Sequence, residues 1–277
     1  MSKYICLTID IEADLRDPDK QIRLFDDASL YDQFSSFFQS FPVTGFLVTN
    51  LLETHYASAL HSMKNDLMIE YEVHSHTHTQ AYAASLKEIQ VAKQTYEAYW
   101  GKSPKGYRAP NGLMTSEGIT HLIQQGYTYD ASIFPTIRMD SYGYNNLHLP
   151  STPFWFETEH GNLLELPFGI IKTIRFPTTL SYMKLVGWQL YRQLTRTFHL
   201  PDVVVLLFHP YDLYIDRIAH HIPGWKHYAH NRNAKRGFTI IKQMIQMLQA
   251  QGYQFIFMSE LAEIMAAQPD LPRVSNP

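Results

Sequence analysis

Eight stretches of the chain read as strands from their runs of apolar and β-branched residues: 3–10 (KYICLTID), 43–50 (VTGFLVTN), 66–76 (DLMIEYEVHSH), 106–110 (GYRAP), 127–133 (YTYDASI), 163–169 (LLELPFG), 203–209 (VVVLLFH) and 253–261 (YQFIFMSEL). Several are apolar throughout, as strands covered on both faces are. Helical spacing fills most of the intervals, at 30–41, 85–101, 117–126, 179–198 and 237–252. Gly101, Gly126 and Gly252 stand where three of these helices should stop. The alternation of strand and helix predicts parallel strands and an α/β fold, closed or nearly closed into a barrel. One domain is expected over 1–265, with a loose tail at 266–277. Segments 136–160 and 211–236 are less regular and rich in aromatic and polar residues, and the second has the spacing of a substrate loop or lid.

Composition narrows the partners. The chain has 277 residues, enough for one large core, with 45% hydrophobic and 18% charged residues. A formal charge of −3 offers no general attraction to nucleic acid or to an anionic membrane. No apolar run approaches the roughly 20 residues that span a bilayer, so no transmembrane segment is expected. MSKYICLTID runs from a short strand into acids rather than resembling a signal peptide, which makes a cytoplasmic location the expectation. The single cysteine, Cys6, falls inside the first strand and reads as a buried thiol.

In a barrel of this kind, catalytic groups sit at the C-terminal ends of the strands. Five strand ends here carry chemically capable residues. The first delivers Asp10, Glu12 and Asp14, the third His74, His76 and His78, the fourth Arg108, the fifth Asp130 and Ser132, and the seventh His209 and Asp212. Alternation along the first strand puts residues 10 and 12 on one side. Residues 74 and 78 would share a face on a helical turn, with His76 turned away; on a continuing strand all three histidines would share a side. Two neutral imidazoles and a carboxylate suit zinc, cobalt, nickel or iron(II), with zinc the default.

These motifs, in this order and over most of the chain, resemble the polysaccharide deacetylase family, the NodB-homology proteins of carbohydrate esterase family 4. HSHTH resembles the family's H-[ST]-x-x-H motif, and LLFH its L-x-x-H motif. The resemblance implies a distorted (β/α) barrel of about seven parallel strands and favours the helical turn, with His74 and His78 as metal ligands. The common family pattern has two adjacent aspartates, a base and a ligand. Here Ile11 intervenes, so Asp10 is expected as general base and Glu12 as metal ligand, with Asp14 a fallback. The resemblance further implies that Arg108 aims Asp10 and that His209 protonates the leaving nitrogen. Asp130 is expected to hold the tautomer of His209. The Asn111 N–H is the expected oxyanion donor, Tyr107 a pocket-wall contact and Trp225 a stacking platform for sugar. His220, His221, His227 and His230 lie in the same late loop and read as solvated or sugar-contacting.

The implied activity is removal of an N-acetyl group from an amino-sugar glycan or a lipid-linked sugar precursor, and a homo-oligomer is compatible with the sequence. Hydrolysis of a formamide or small cyclic amide, an iron(II) oxygenase and a catalytically silent binding protein are the alternatives. The parallel α/β order speaks against the oxygenase, and the intact Asp10, Arg108, Asp130 and His209 speak against silence.

Overall fold

A computed structural model of the protein describes residues 2–14, 20–139, 143–214, 228 and 231–275. Its main sheet is built from β1 (Tyr4–Ile11), β2 (Val43–Leu47), β3 (Ile69–Val73), β4 (Gly106–Tyr107), β5 (Tyr129–Asp130), β6 (Phe154–Thr158), β7 (Gly161–Glu165), β8 (Val203–Phe208), β9 (Gln254–Phe255) and β10 (Arg273–Ser275). Neighbours run in the order β8-β1-β2-β3-β4-β5-β7-β6-β10, with β9 beside the first residues of β1. Seven consecutive strands of that path, β8 to β7, are parallel to one another. The two ends approach each other just past β7, where the Gly169 N–H donates to the Val205 carbonyl at 2.9 Å. The expected distorted barrel of about seven parallel strands is therefore the fold observed.

Period-2 alternation on the strands separates two cores. Ile5, Leu7, Ile9 and Ile11 of β1 face outward into a cluster shared with the surrounding helices. Cys6 faces inward with Phe46, Tyr129, Leu164, Phe168, Val205 and Leu207. Besides the single turn Arg23–Asp26, the α-helices among the described residues are α1 (Ala28–Phe38), α2 (Tyr56–Asp66), α3 (Leu86–Trp100), α4 (Ser116–Gln124), α5 (Leu180–Val186), α6 (Trp188–Phe198), α7 (Pro210–Tyr214), α8 (Gly237–Ala250) and α9 (Met258–Ala266). Met258, Leu261 and Met265 of α9 pack into the inner cluster, leaving the polar site to the C-terminal ends of the strands.

Five elements differ from the sequence reading. The helix expected over 179–198 is two helices, because Gly187 takes φ +85 and interrupts the hydrogen-bond ladder. The last strand stops at Phe255, and the chain enters α9 three residues later, where Glu260 accepts a hydrogen bond from the Phe257 N–H at 3.0 Å. The tail expected to be loose beyond 265 instead forms β10, which pairs parallel with β6 and ties Arg273 to Glu157 at 2.6 Å. The supposedly irregular 136–160 contains β6, which forms an antiparallel hairpin with β7. Helix α2 was not anticipated either; its only buried side chains are Tyr56, Leu60 and Met63, a weak apolar stripe. Among the described residues no helix is long and apolar enough to cross a membrane.

Candidate active site

At the end of β1, Asp10 and Glu12 face the same pocket, as alternation requires, and both are buried. The chain leaving β3 meets them there. The His74 N–H still donates to the Leu47 carbonyl at 2.9 Å, so the first imidazole is fixed by the sheet ladder. His74 Nδ1 lies 2.8 Å from the Arg108 carbonyl oxygen, an acceptor that demands the Nδ1–H tautomer. Nε2 is then a lone-pair donor, 3.7 Å from Glu12 Oε2. His78 Nε2 contacts the same carboxylate oxygen. One ligand atom from each of Glu12, His74 and His78 lies within 4.8 Å of the others.

The turn that brings the two histidines together is not helical. Ser75 and His78 both adopt left-handed backbone, at φ 61 and 58, and the Ser75 hydroxyl accepts the His78 N–H at 3.1 Å. His76 points elsewhere, its Nδ1 lying 3.0 Å from the Thr49 hydroxyl. A helical turn would have juxtaposed the same pair, so the motif spacing is satisfied by a different backbone.

Arg108 sits behind Asp10. Its Nη1 donates to Asp10 Oδ1 at 2.6 Å and to the Thr8 hydroxyl at 3.0 Å, and its Nε donates to the Ala131 carbonyl at 3.1 Å. The guanidinium lies between two aromatic faces, 3.8 Å from the Phe46 centroid and 4.5 Å from that of Phe168. This clamp leaves Asp10 Oδ2 directed at the imidazoles, 3.8 Å from His74 Nε2 and 3.9 Å from His209 Nε2.

His209, at the end of β8, enters from the opposite side, with Nε2 3.7 Å from Glu12 Oε1. Its partner corrects the sequence reading. Nδ1 lies 3.0 Å from Asp212 Oδ2, one turn further along the chain, and not near Asp130. Asp212 is held by the Ser181 hydroxyl at 2.9 and 3.0 Å and by Lys184 Nζ at 3.2 Å, both from α5. Asp130 is instead register partner to Glu165 across β5 and β7, and it accepts the Ser132 hydroxyl at 2.6 Å. Burial pushes the Asp130 carboxyl up to about 6 and Glu165 well above its ordinary value, so the pair retains a proton. The i, i+3 spacing in HPYD was the available signal for Asp212; nothing in the sequence pointed to Ser181 or Lys184.

The remaining expected residues divide. Tyr107 is not a substrate contact: it is fully buried in the outer core and its hydroxyl donates to the Ala83 carbonyl at 2.6 Å. Asn111 occupies the turn after β4 with φ 56, half-buried, its side-chain oxygen 3.4 Å from Arg138 Nη1. Asp14 is neither solvated nor beside the imidazoles; it is buried and accepts the Arg23 N–H at 3.3 Å. Tyr211, unanticipated, stacks on His209 at 4.6 Å and donates its hydroxyl to Glu12 Oε1 at 3.1 Å. Trp225, His220, His221, His227 and His230 lie outside the described residues.

The charges are strongly coupled. Burial opposes the ionised form of Glu12, but His78, His74 and His209 outweigh it and hold the carboxyl well below the usual carboxylate range. Burial likewise opposes the His78 and His209 cations. Glu12 outweighs it at His78, and the Asp212 hydrogen bond with the Glu12, Asp212 and Asp10 charges pushes His209 up to about 9. His78 at 31% and His209 at 17% side-chain exposure are the members open to solvent, against 9% or less for Asp10, Glu12 and His74, so a ligand reaches the site past these two rings.

A mostly parallel barrel thus carries two imidazoles, a carboxylate and an arginine-clamped aspartate at its strand ends, the arrangement that the sequence resemblance implies. The polysaccharide deacetylase family model matches residues 17–129, and the model of a domain of unknown function, DUF3473, matches residues 131–263. The N-terminal portion of the chain, residues 17–129, is thus similar to the polysaccharide deacetylase family. No curated protein matches it. Among solved structures it is similar to a Mycobacterium smegmatis protein assigned as a polysaccharide deacetylase (19% identity, 99% of this chain and 94% of the other, TM-score 0.59). It is similar also to PuuE allantoinase (12%, 96% and 91%, 0.61) and to a protein assigned likewise as a polysaccharide deacetylase from Pseudomonas aeruginosa PAO1 (12%, 96% and 91%, 0.59). At these identities the likeness is one of fold.

Proposed function

We propose that the protein is a metal-dependent hydrolase that removes an N-acetyl group from an amino-sugar glycan or glycan precursor. The observation that carries this reading is the convergence of Asp10 Oδ2 and His209 Nε2, 3.9 Å apart, on one Glu12–His74–His78 donor set. Two imidazole nitrogens and a carboxylate oxygen, with one tautomer fixed by a backbone carbonyl, fit a divalent ion such as zinc. Bound there, such an ion would acidify a water and polarise an acyl oxygen.

Each side chain then has a separate task. Glu12, His74 and His78 hold the ion. Asp10, with one oxygen fixed by Arg108, accepts the proton of the attacking water through the other. His209, cationic and oriented by Asp212, gives a proton to the departing amine. Tyr211 braces both sides, through its stack on His209 and its bond to Glu12.

The test is acetate release from N-acetylglucosamine oligomers by protein loaded with zinc or cobalt, with and without chelator, alongside a small cyclic amide. The expected result is acetate release that the chelator abolishes and that Asp10→Asn eliminates. Turnover retained in Asp10→Asn removes Asp10 from the base role, and turnover of the cyclic amide alone replaces the sugar reading.

A further inference from the structure

The turn carrying the two imidazoles is gripped from outside by a side chain that belongs to none of the sequence motifs. Glu88 lies in the first turn of α3 and is buried. Its Oε1 accepts three hydrogen bonds from two consecutive residues: the His76 N–H at 3.0 Å, the Thr77 N–H at 2.6 Å and the Thr77 hydroxyl at 2.9 Å. On the other side of the turn, the Thr49 N–H donates to the Ser75 carbonyl at 3.1 Å and the Asn50 N–H to the His76 carbonyl at 3.2 Å. The segment between β3 and His78 is thus clamped on both sides.

We propose that Glu88 is a positioning residue for the metal centre, and that it acts on His78 rather than on His74. The inference rests on the reading of Glu12, His74 and His78 as metal ligands. His74 has anchors of its own in the Leu47 and Arg108 carbonyls. Among the described residues, the His78 backbone is held only from within the turn, by the Ser75 hydroxyl. Ser75 and His78 both sit in a backbone region that residues with a Cβ rarely occupy, so the turn does not hold this shape by local preference. Successive backbone N–H groups aimed at one point form a concavity suited to an anion, and a carboxylate fills it with charge-assisted bonds about twice as strong as neutral ones. Removing that oxygen strands two inward-pointing N–H groups. The turn then relaxes, and the residue displaced is His78, which follows directly.

Zinc affinity, measured by competition with a chromophoric chelator at 25 °C, tests this on the wild type, Glu88→Ala and Glu88→Gln. Circular dichroism and the Tm of the metal-free proteins are recorded alongside. We expect Glu88→Ala to bind zinc about 10- to 100-fold more weakly, the range for lost outer-shell partners. Glu88→Gln, which keeps an oxygen acceptor without the charge, should fall between the two. A merely structural Glu88 would lower the Tm and leave the zinc affinity of folded protein unchanged, and that result overturns the inference. Should Glu88→Ala not fold, the Gln variant decides: weakened binding supports the inference, unchanged binding overturns it. A wild type that takes up no zinc overturns the metal reading itself and the inference with it.

Discussion

His209 Nδ1 and Asp212 Oδ2 lie 3.0 Å apart on a single strand-to-helix turn, and the backbone N–H of His209 donates to the same oxygen at 3.2 Å. The imidazole is thereby oriented by its own chain, three residues on, while α5 holds the carboxylate from behind through Ser181 and Lys184. Asp212→Asn should therefore lower kcat for acetate release by about 100-fold or more, the scale of a misoriented proton donor, with little change in KM. Asp130→Asn should cost less, because its carboxyl already shares a proton with Glu165. Steady-state kinetics of the two variants side by side would check this, and the reverse ranking would return the orienting role to Asp130.

The same pair should leave a mark on stability in chelator-treated protein. His209 is raised to about 9, so its contribution is complete below the unfolded value of about 6.5 and is lost as pH rises through about 9. Burial opposes ionisation of Asp212, but Lys184 and His209 outweigh it and depress the carboxyl, so its contribution is present above about 3.9 and lost as pH falls further. The stability difference between the wild type and His209→Asn, taken from urea unfolding, should be flat between about pH 4.5 and 6.5 and shrink from there towards 9. A difference that grows with pH would contradict the pairing.

Glu165 carries the opposite liability. Its carboxyl and that of Asp130 are raised by burial, so the folded state holds a proton that the unfolded chain releases near pH 4. Stability therefore falls as pH rises above that value, by up to about 1.4 kcal/mol per pH unit for each retained proton. Glu165→Gln removes one of the two acids and should flatten this slope, making the variant the more stable protein at pH 8 to 9. Unfolding midpoints at pH 5, 7 and 9 would show it, and parallel curves would refute it.

Gly237 opens α8 beside the turn that carries His209 and Asp212. A Cβ built there would lie 1.9 Å from the Asp212 carbonyl oxygen, so a side chain can be accommodated only if the turn carrying His209 moves. Gly237→Ala should cost about 1–3 kcal/mol of stability, as overpacking does, and should lower kcat in the protein that remains folded. Thermal unfolding and acetate release together test this; a variant with wild-type values in both would show that the turn is freer than its packing.

Much of this site was legible because strand periodicity and strand ends are local properties. Asp10 and Glu12 share a side by alternation, and Arg108 follows a strand that pairs beside the one ending in His74. What could not be read was set by register. Whether Asp130 meets His209 or Glu165 depends on which strand lies next to β5, and that strand, β7, belongs to a hairpin whose first arm lay within a segment read as irregular. The Ser75 and His78 backbone was hidden for a different reason: the spacing of two ligands is met equally by a helical turn and by the left-handed turn observed.

The seam between the two family matches falls at residue 130, inside a continuous parallel sheet. Upstream of it lie His74, His78 and Arg108; downstream lie His209, Asp212 and Lys184 behind it. Neither portion encloses an interior by itself, since β1 needs β8 along one edge and β5 needs β7 along the other. The stretch of unassigned role is therefore the missing wall of the vessel and, on the proposed reading, half of its chemistry, and exchanging it between relatives would then transplant a reaction partner rather than an accessory module.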